Sequence, residues 1–308
     1  MPPMTPQRLA AAYAIDVVAG DPEWFPHPVR GFGVLISAGE DTLRPIAHDP
    51  TTELLAGAVL TGFVVSIGWI AGTPRHAAWQ VTLAWTTLST RSLLQEAGAV
   101  IRALEAEDLT LARARLARIV GRDTEHLDES EIARAVIETL AESACDGIVA
   151  PLFWLAAGGL PAAMAYKAVN TLDSMIGHPE PPYRYFGRVA ARLDDAANFV
   201  PARFTALAIA VDRWDALRIW WRDGGKHASP NAGQSEAAMA GALGVRLGGT
   251  NFYDGQRHDG PLLNAEGRRA TVRDARRALS IVAAVSAIAF GAALLVVQWR
   301  TRTWRTRK

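Results

Sequence analysis

The segment Leu279–Val297 (LSIVAAVSAIAFGAALLVV) carries neither charge nor proline. A helix needs about 20 apolar residues to cross the hydrocarbon core, because each turn must satisfy its own backbone there. This segment meets that requirement, and it limits the chain to folds that place a helix in lipid. Arg273, Arg276 and Arg277 precede it; Arg300, Arg302, Arg305, Arg307 and Lys308 follow, with Trp299 and Trp304 placed for an interfacial belt.

Composition agrees. The 308 residues are 50% hydrophobic and 20% charged, below the charged share usual for soluble domains. The net charge of +1 gives no basic field for nucleic acid. The single cysteine, Cys145, excludes an internal disulfide and reads as a small buried filler. Leu9–Val18 is apolar but contains Asp16 and lacks a small-residue cleavage site, so it reads as a mature helix rather than a signal peptide.

The expected fold class is all-α: a multi-pass helical membrane protein forming a single unit over 1–308, with amphipathic and re-entrant helices building a cytoplasmic-side polar face. Expected spans are 8–19, 54–71, 76–90 and 279–297. The second and third form a hairpin around Gly72-Thr73-Pro74-Arg75. Segment 148–176, broken at Gly158-Gly159-Leu160-Pro161, reads either as re-entrant half-helices or as two core helices on the membrane surface. Polar regions cover 21–53, 91–146 and 177–278. Arg30, Arg44 and the arginines from Arg91 to Arg134 assign the first two to the cytoplasm. Ser92–Ile119 repeats apolar residues at helical spacing. A further helix opens at Asp128 or Ser130 and runs to about Ala144. No strand-like alternation, repeat or linker is evident.

Five polar clusters could carry chemistry. Asp21, His27 and Arg30 lie in a proline-stiffened loop, suited to an anionic substrate or to a rigid connector. Glu138, Glu142 and Asp146, four apart, line either a solvated face or a Mg²⁺ site. Lys167, Asn170, Asp173, Ser174 and His178 follow an apolar helix, with Lys167 able to hold phosphate. Arg192, Asp194, Asp195, Asn198 and Arg203 combine possible metal carboxylates with anion forks, or make a salt-bridged helix. The last is Lys226–Asn251, including Asn231, with an expected small-residue helix Glu236–Gly244 capped by Ser235. P-loop, Rossmann, HExxH, CxxC and nucleophile-elbow motifs are absent from the sequence.

These residues resemble a known family. GDPEWFPHPVR, GRDTEHLDESEIARAVIETLAESACDGIVAPLFW, KAVNTLDSMIGH, YRYFGRVAARLDDAANFVPAR and GGKHASPNAGQSEAAMAGALGVRLGG are similar to motifs of the adenosylcobinamide-phosphate synthase family (CbiB/CobD), from about Asp16 to Tyr253. The resemblance implies a multi-pass inner-membrane enzyme of cobalamin synthesis. Such an enzyme joins adenosylcobyric acid to aminopropanol or aminopropanol phosphate, with ATP as cosubstrate and Mg²⁺ as cofactor. Its partners would be those substrates, the lipid bilayer and other cobalamin-pathway enzymes.

Within that expectation, Glu138, Glu142, Asp146, Asp194 and Asp195 are candidate metal ligands, and Asp21 or His27 the proton acceptor. Arg30, Lys167, Asn170, Arg192, Asn198, Arg203, Lys226 and Asn231 are candidate substrate or phosphate contacts. The rival readings are a transporter of a corrinoid or other small molecule, a membrane scaffold for pathway enzymes, and a prenyltransferase-like enzyme.

Overall fold

The computed structural model describes residues 4–22, 24–178 and 180–305. In chain order the helices are α1 (Pro6–Ala19), α2 (Pro28–Leu43), α3 (Pro50–Ala71), α4 (Ala77–Trp85), α5 (Thr90–Glu105), α6 (Leu109–Leu116) and α7 (Glu129–Ala144). There follow α8 (Ala150–Ala157), α9 (Gly159–Ile176), α10 (Arg188–Ile209), α11 (Trp214–Asp223), α12 (Ala232–Leu243) and α13 (Val272–Arg305). One antiparallel hairpin, β1 (Leu247–Tyr253) and β2 (Gln256–Leu263), precedes α13. The all-α membrane class holds, with this two-stranded ribbon as its small exception. Arg307 and Lys308 lie outside the described residues, as do the side chains of Trp304 and Arg305.

Local chemistry sets the helix ends. Thr5 caps α1 by accepting from the Arg8 N–H, with Pro6 in the first turn. Asp49 and Thr52 form a capping box for α3, as do Asp128 and Glu131 for α7. The cap of α7 is therefore Asp128, and the Ser130 hydroxyl donates instead to the Ala270 carbonyl.

Among the described residues, three helices are long and apolar enough to cross a membrane: Pro50–Ala71, Glu129–Ala157 and Val272–Thr303. The second continues α7 into α8 through a π turn, Cys145–Val149. Pro151 follows this turn and lacks the N–H that would bond back to residue 147, so the ladder slips by one residue. The apolar stretch from residue 148 is thus the second half of a long helix, and the expected polar region 91–146 contains its first half. The break at Gly158-Gly159 is real, but it separates this helix from α9 rather than dividing one re-entrant loop.

Two expected spans coincide with short helices. α1 has 14 residues and α4 has 9. At 1.5 Å per residue they reach about 21 and 13 Å, short of a hydrocarbon core of about 30 Å.

The chain forms two compact units. One comprises Met1–Ser89, Ala150–Asn198 and Phe290–Lys308; the other comprises Thr90–Val149 and Phe199–Ala289. The units interleave along the chain, so no linker marks them in the sequence.

In the first unit α3 packs along α9, with α2 against both and α1 against α4. The buried stripe of α3 is Gly57, Leu60, Thr61, Val64 and Gly68. Leu55, Val59, Phe63 and Ile70 remain exposed on its other side, which suits a lipid-facing surface. A Cβ at Gly57 would overlap the Phe186 carbonyl, so only glycine permits this approach. The C-terminal ends of α3, α8 and α13 border one cavity of about 280 Å³, lined among others by Trp69, Thr73, Ala156 and Arg300. There Arg300 donates to the carbonyls of Ala156 and Ala157.

In the second unit α11 packs on α12, α12 on α7, and α5 on α6 and α7. Two expectations are corrected here. The small-residue helix spans Ala232–Leu243, not Glu236–Gly244. Ser235 lies inside it, its hydroxyl on the Ala232 carbonyl, and Asn231 takes the N-cap position. The hairpin escaped notice because most of its residues are exposed, leaving no apolar alternation. Its tip, Asp254-Gly255, has both residues at positive φ, the chemistry of a two-residue hairpin turn.

Gly57→Leu is expected to destabilise the protein by at least about 1–3 kcal/mol, the usual range for overpacking. Gly62→Ala, where a Cβ meets nothing within 4 Å, should be neutral or slightly stabilising. Thermal unfolding of detergent-purified protein checks both.

Candidate functional site

In the second unit the loop before α7 brings Arg122 to Glu138, at 2.7 Å. Arg134, one turn before Glu138 on α7, approaches the same carboxylate at 3.1 Å. The Gly248 N–H of β1 donates to it at 2.7 Å. Both arginines also donate to the Asn251 side chain, and Arg134 reaches the carbonyls of Gly248 and Thr250. Next to Arg122, Asp123 receives the N–H groups of Asp254 and Gly255. Glu138 is 5% exposed, so each of its lone pairs must be satisfied within the protein. These bonds join Gly121-Arg122-Asp123, α7 and the hairpin into one polar centre.

Two further carboxylates belong to this region. Glu236 on α12 is 5% exposed, and no hydrogen bond reaches it among the described residues. Burial, and then the nearby Glu138 and Glu142, hold its carboxyl well above the usual carboxylate range. Glu142 is exposed and makes no hydrogen bond or ion pair among the described residues. It lies within electrostatic reach of His227, Arg122 and Glu138. His227 accepts the Ser229 N–H at Nδ1, at 3.0 Å, which leaves its proton on Nε2.

Other predicted residues of this unit are engaged in the fold. Lys226 pairs with the buried Asp223 at 2.6 Å; Asp223 also accepts two bonds from Arg222 and one from the Asn264 N–H. These donors hold the Asp223 carboxyl below the usual range despite its burial, which acts the other way. Arg203 stacks on Phe199, donates to its carbonyl and approaches Asn231 at 3.4 Å. Asp146 falls in the π turn.

In the first unit, the Tyr166 hydroxyl donates to Asn198 at 3.0 Å, and Asn198 donates to Asp194 at 2.9 Å. All three are buried, so Asn198 acts as a bridge inside the helix packing. Asp195 lies 3.7 Å from the exposed Arg192. Lys167 and Asn170 are half-buried on α9, and Arg30 is exposed in the first turn of α2. His27 caps α2, its Nδ1 accepting the Val29 N–H, while Nε2 stands 3.4 Å from Asp21. The loop thus engages Nδ1. Asp16 is fully buried in α1.

The expected magnesium ligands are not gathered into a cage. Among the described residues, no three His, Cys, Asp or Glu side chains are grouped to hold a metal ion. Glu138 is already taken by two arginines. Sequence reasoning missed Arg122, Arg134, His227 and Glu236. The first three lie inside the motif segments GRDTEH, ESEIARAV and GGKHASPN; Glu236 stood in plain view within a run of small residues.

The fold and its polar centre define a helical membrane protein whose chemistry-bearing residues lie in motif segments spread along the chain. The family described as CobD/Cbib protein matches residues 9–282, and the chain belongs to that family. The chain is 43% identical to the cobalamin biosynthesis protein CobD of Klebsiella pneumoniae, over 96% of this chain and 98% of the relative. It is 41% identical to the cobalamin biosynthesis protein CbiB of Salmonella arizonae over the same shares, and 42% identical to that of Salmonella typhimurium over 95% and 97%. No solved structure matches the chain.

Glu236→Gln tests the buried carboxyl. A folded-state pKa above the unfolded value makes Glu236 progressively costlier as pH rises from its ordinary 4.5 toward the raised value. The glutamine variant should therefore gain stability over wild type at about pH 8 relative to about pH 5, measured by thermal unfolding. An unchanged difference between the two pH values would mean Glu236 titrates normally.

Proposed function

We propose that this chain acts in cobalamin biosynthesis as an ATP-dependent amide ligase. It joins the propionate carboxylate of adenosylcobyric acid to aminopropanol or aminopropanol phosphate, at the cytoplasmic face of the inner membrane. Family membership supports the pathway, and the names of the relatives point the same way. The observation that carries the site is Glu142: an exposed carboxylate without a hydrogen-bond partner among the described residues, within electrostatic reach of the Arg122–Glu138 pair.

The reaction divides into two displacements. A carboxylate oxygen of the corrinoid attacks the γ-phosphorus of ATP; the bond to ADP breaks and an acyl phosphate forms. The amine nitrogen then attacks the acyl carbon, the carbon–oxygen bond to phosphate breaks, and inorganic phosphate leaves. The amine proton passes to Glu142, in the role of general base. His227, with its proton on Nε2, donates to an oxygen that gains charge during the transfer. Magnesium, when bound, would neutralise the nucleotide phosphates and would be held chiefly by them.

Purified protein incubated with adenosylcobyric acid, ATP, Mg²⁺ and each amine should yield the amide, identified by mass. Glu142→Gln should lower kcat by roughly 10²–10⁴-fold, the usual contribution of a positioned base, with normal levels of folded protein in the membrane. Full activity in this variant would remove Glu142 from the mechanism. Accumulation of a corrinoid in sealed vesicles without amide product would favour transport instead.

A further inference from the structure

A second cavity, of about 450 Å³, opens at the root of the hairpin in the second unit. Ser130 and Glu131 of α7 line it on one side, Gly248 and Gly249 of β1 on another, and the side chains of Arg246 and Arg269 border it. The Glu131 carboxylate is turned to the Asp128 N–H, closing the helix cap. Arg269 is held at an exposed position by Asp128, at 2.6 Å. Arg246 differs from both. It is half-buried, and its guanidinium makes no hydrogen bond or ion pair among the described residues.

A partly desolvated guanidinium without a counter-ion is costly unless an anion completes it. The backbone places it firmly. The Arg246 N–H donates to the Arg268 carbonyl at 2.9 Å, directly after the left-handed turn at Gly244. Gly248 and Gly249 both take positive φ, 77° and 90°, at an irregularity in the ladder between Gly248 and Thr250. Because these residues lack side chains, that wall of the cavity is bare backbone.

We propose that this cavity binds a phosphate group, with the Arg246 guanidinium as its anchor. The planar fork of arginine matches two phosphate oxygens at once. Ser130 and Arg269 flank the cavity as lesser polar contributors. The phosphate could belong to a nucleotide or to a phosphorylated amino alcohol, and the chemistry of recognition is the same for both. The choice of ligands rests on the proposed amide-forming reaction, whereas phosphate binding is read without turnover and can stand or fall apart from it.

The test is calorimetric titration of the full-length protein in detergent with ATP, aminopropanol phosphate, inorganic pyrophosphate and unphosphorylated aminopropanol. Arg246→Gln should weaken binding of the phosphate-bearing ligands by about tenfold or more, the scale of a charge-assisted pair, and leave aminopropanol unaffected. Arg246→Lys should retain part of the affinity. Arg257→Gln, which removes a charge paired with Asp259 on the exposed strand β2, should bind as wild type.

Loss for ATP alone, or for aminopropanol phosphate alone, identifies the natural source of the phosphate. Wild-type affinity in a folded Arg246→Gln protein, equal loss in Arg257→Gln, or no binding of any phosphate compound by wild type would overturn the proposal. If thermal unfolding shows that Arg246→Gln does not fold, Arg269→Gln decides in its place. It should weaken phosphate binding by a smaller factor, and unaltered binding there would count against the site.

Discussion

The carboxylate of Glu138 sits between two guanidiniums and a backbone N–H, and the second unit is organised around that contact. Removing three charged groups from water is expensive, and the cost is met only when all partners are present with good geometry. The contact therefore couples segments more than a hundred residues apart: the loop at Arg122, the face of α7 and the first strand of the hairpin. It also fixes where the hairpin lies, since Arg134 grips the carbonyls of Gly248 and Thr250 while Asp123 holds the tip. A strand pair so exposed would be marginal alone.

That centre gives two neighbouring carboxylates different characters. Glu236 is enclosed and has no hydrogen bond among the described residues; Glu142 is exposed and close to positive charge. The acidic residues expected to bind metal are likewise engaged in different ways. Glu138 is held by two arginines, and Asp146 lies in the π turn. Asp194 belongs to a buried Tyr166–Asn198–Asp194 chain in the first unit, with Asp195 beside Arg192.

Much of the helical frame was legible in the sequence, because lipid enforces a simple rule on composition. Leu279–Val297 and Leu54–Ala71 fall within helices long enough to cross, and Gly158-Gly159 does break the chain. The two short helices escaped the sequence for one cause: hydropathy registers apolarity but not where a helix stops. α1 ends at Gly20, in a left-handed conformation, and α4 ends after nine residues. Of the site, the motif segments were visible but not the pairings, since nothing in residue spacing says that Arg122 will meet Glu138 or that Lys226 will be consumed by Asp223. The hairpin left only its Asp-Gly turn as a signal, and its exposed strands gave no periodicity to support it.

The meeting of two helix C-termini around one cavity in the first unit has an electrical consequence. Each helix end carries roughly half a negative charge from its unpaired carbonyls, so the C-terminal ends of α3 and α8 add where they converge, while the start of α9 supplies the opposite sign beside them. Arg300, donating to the carbonyls that close α8, acts as an internal counter-ion for this concentration of dipoles. The bundle thereby carries a built-in polarity along its axis, and a transmembrane voltage would act on that polarity as well as on any ionised side chain.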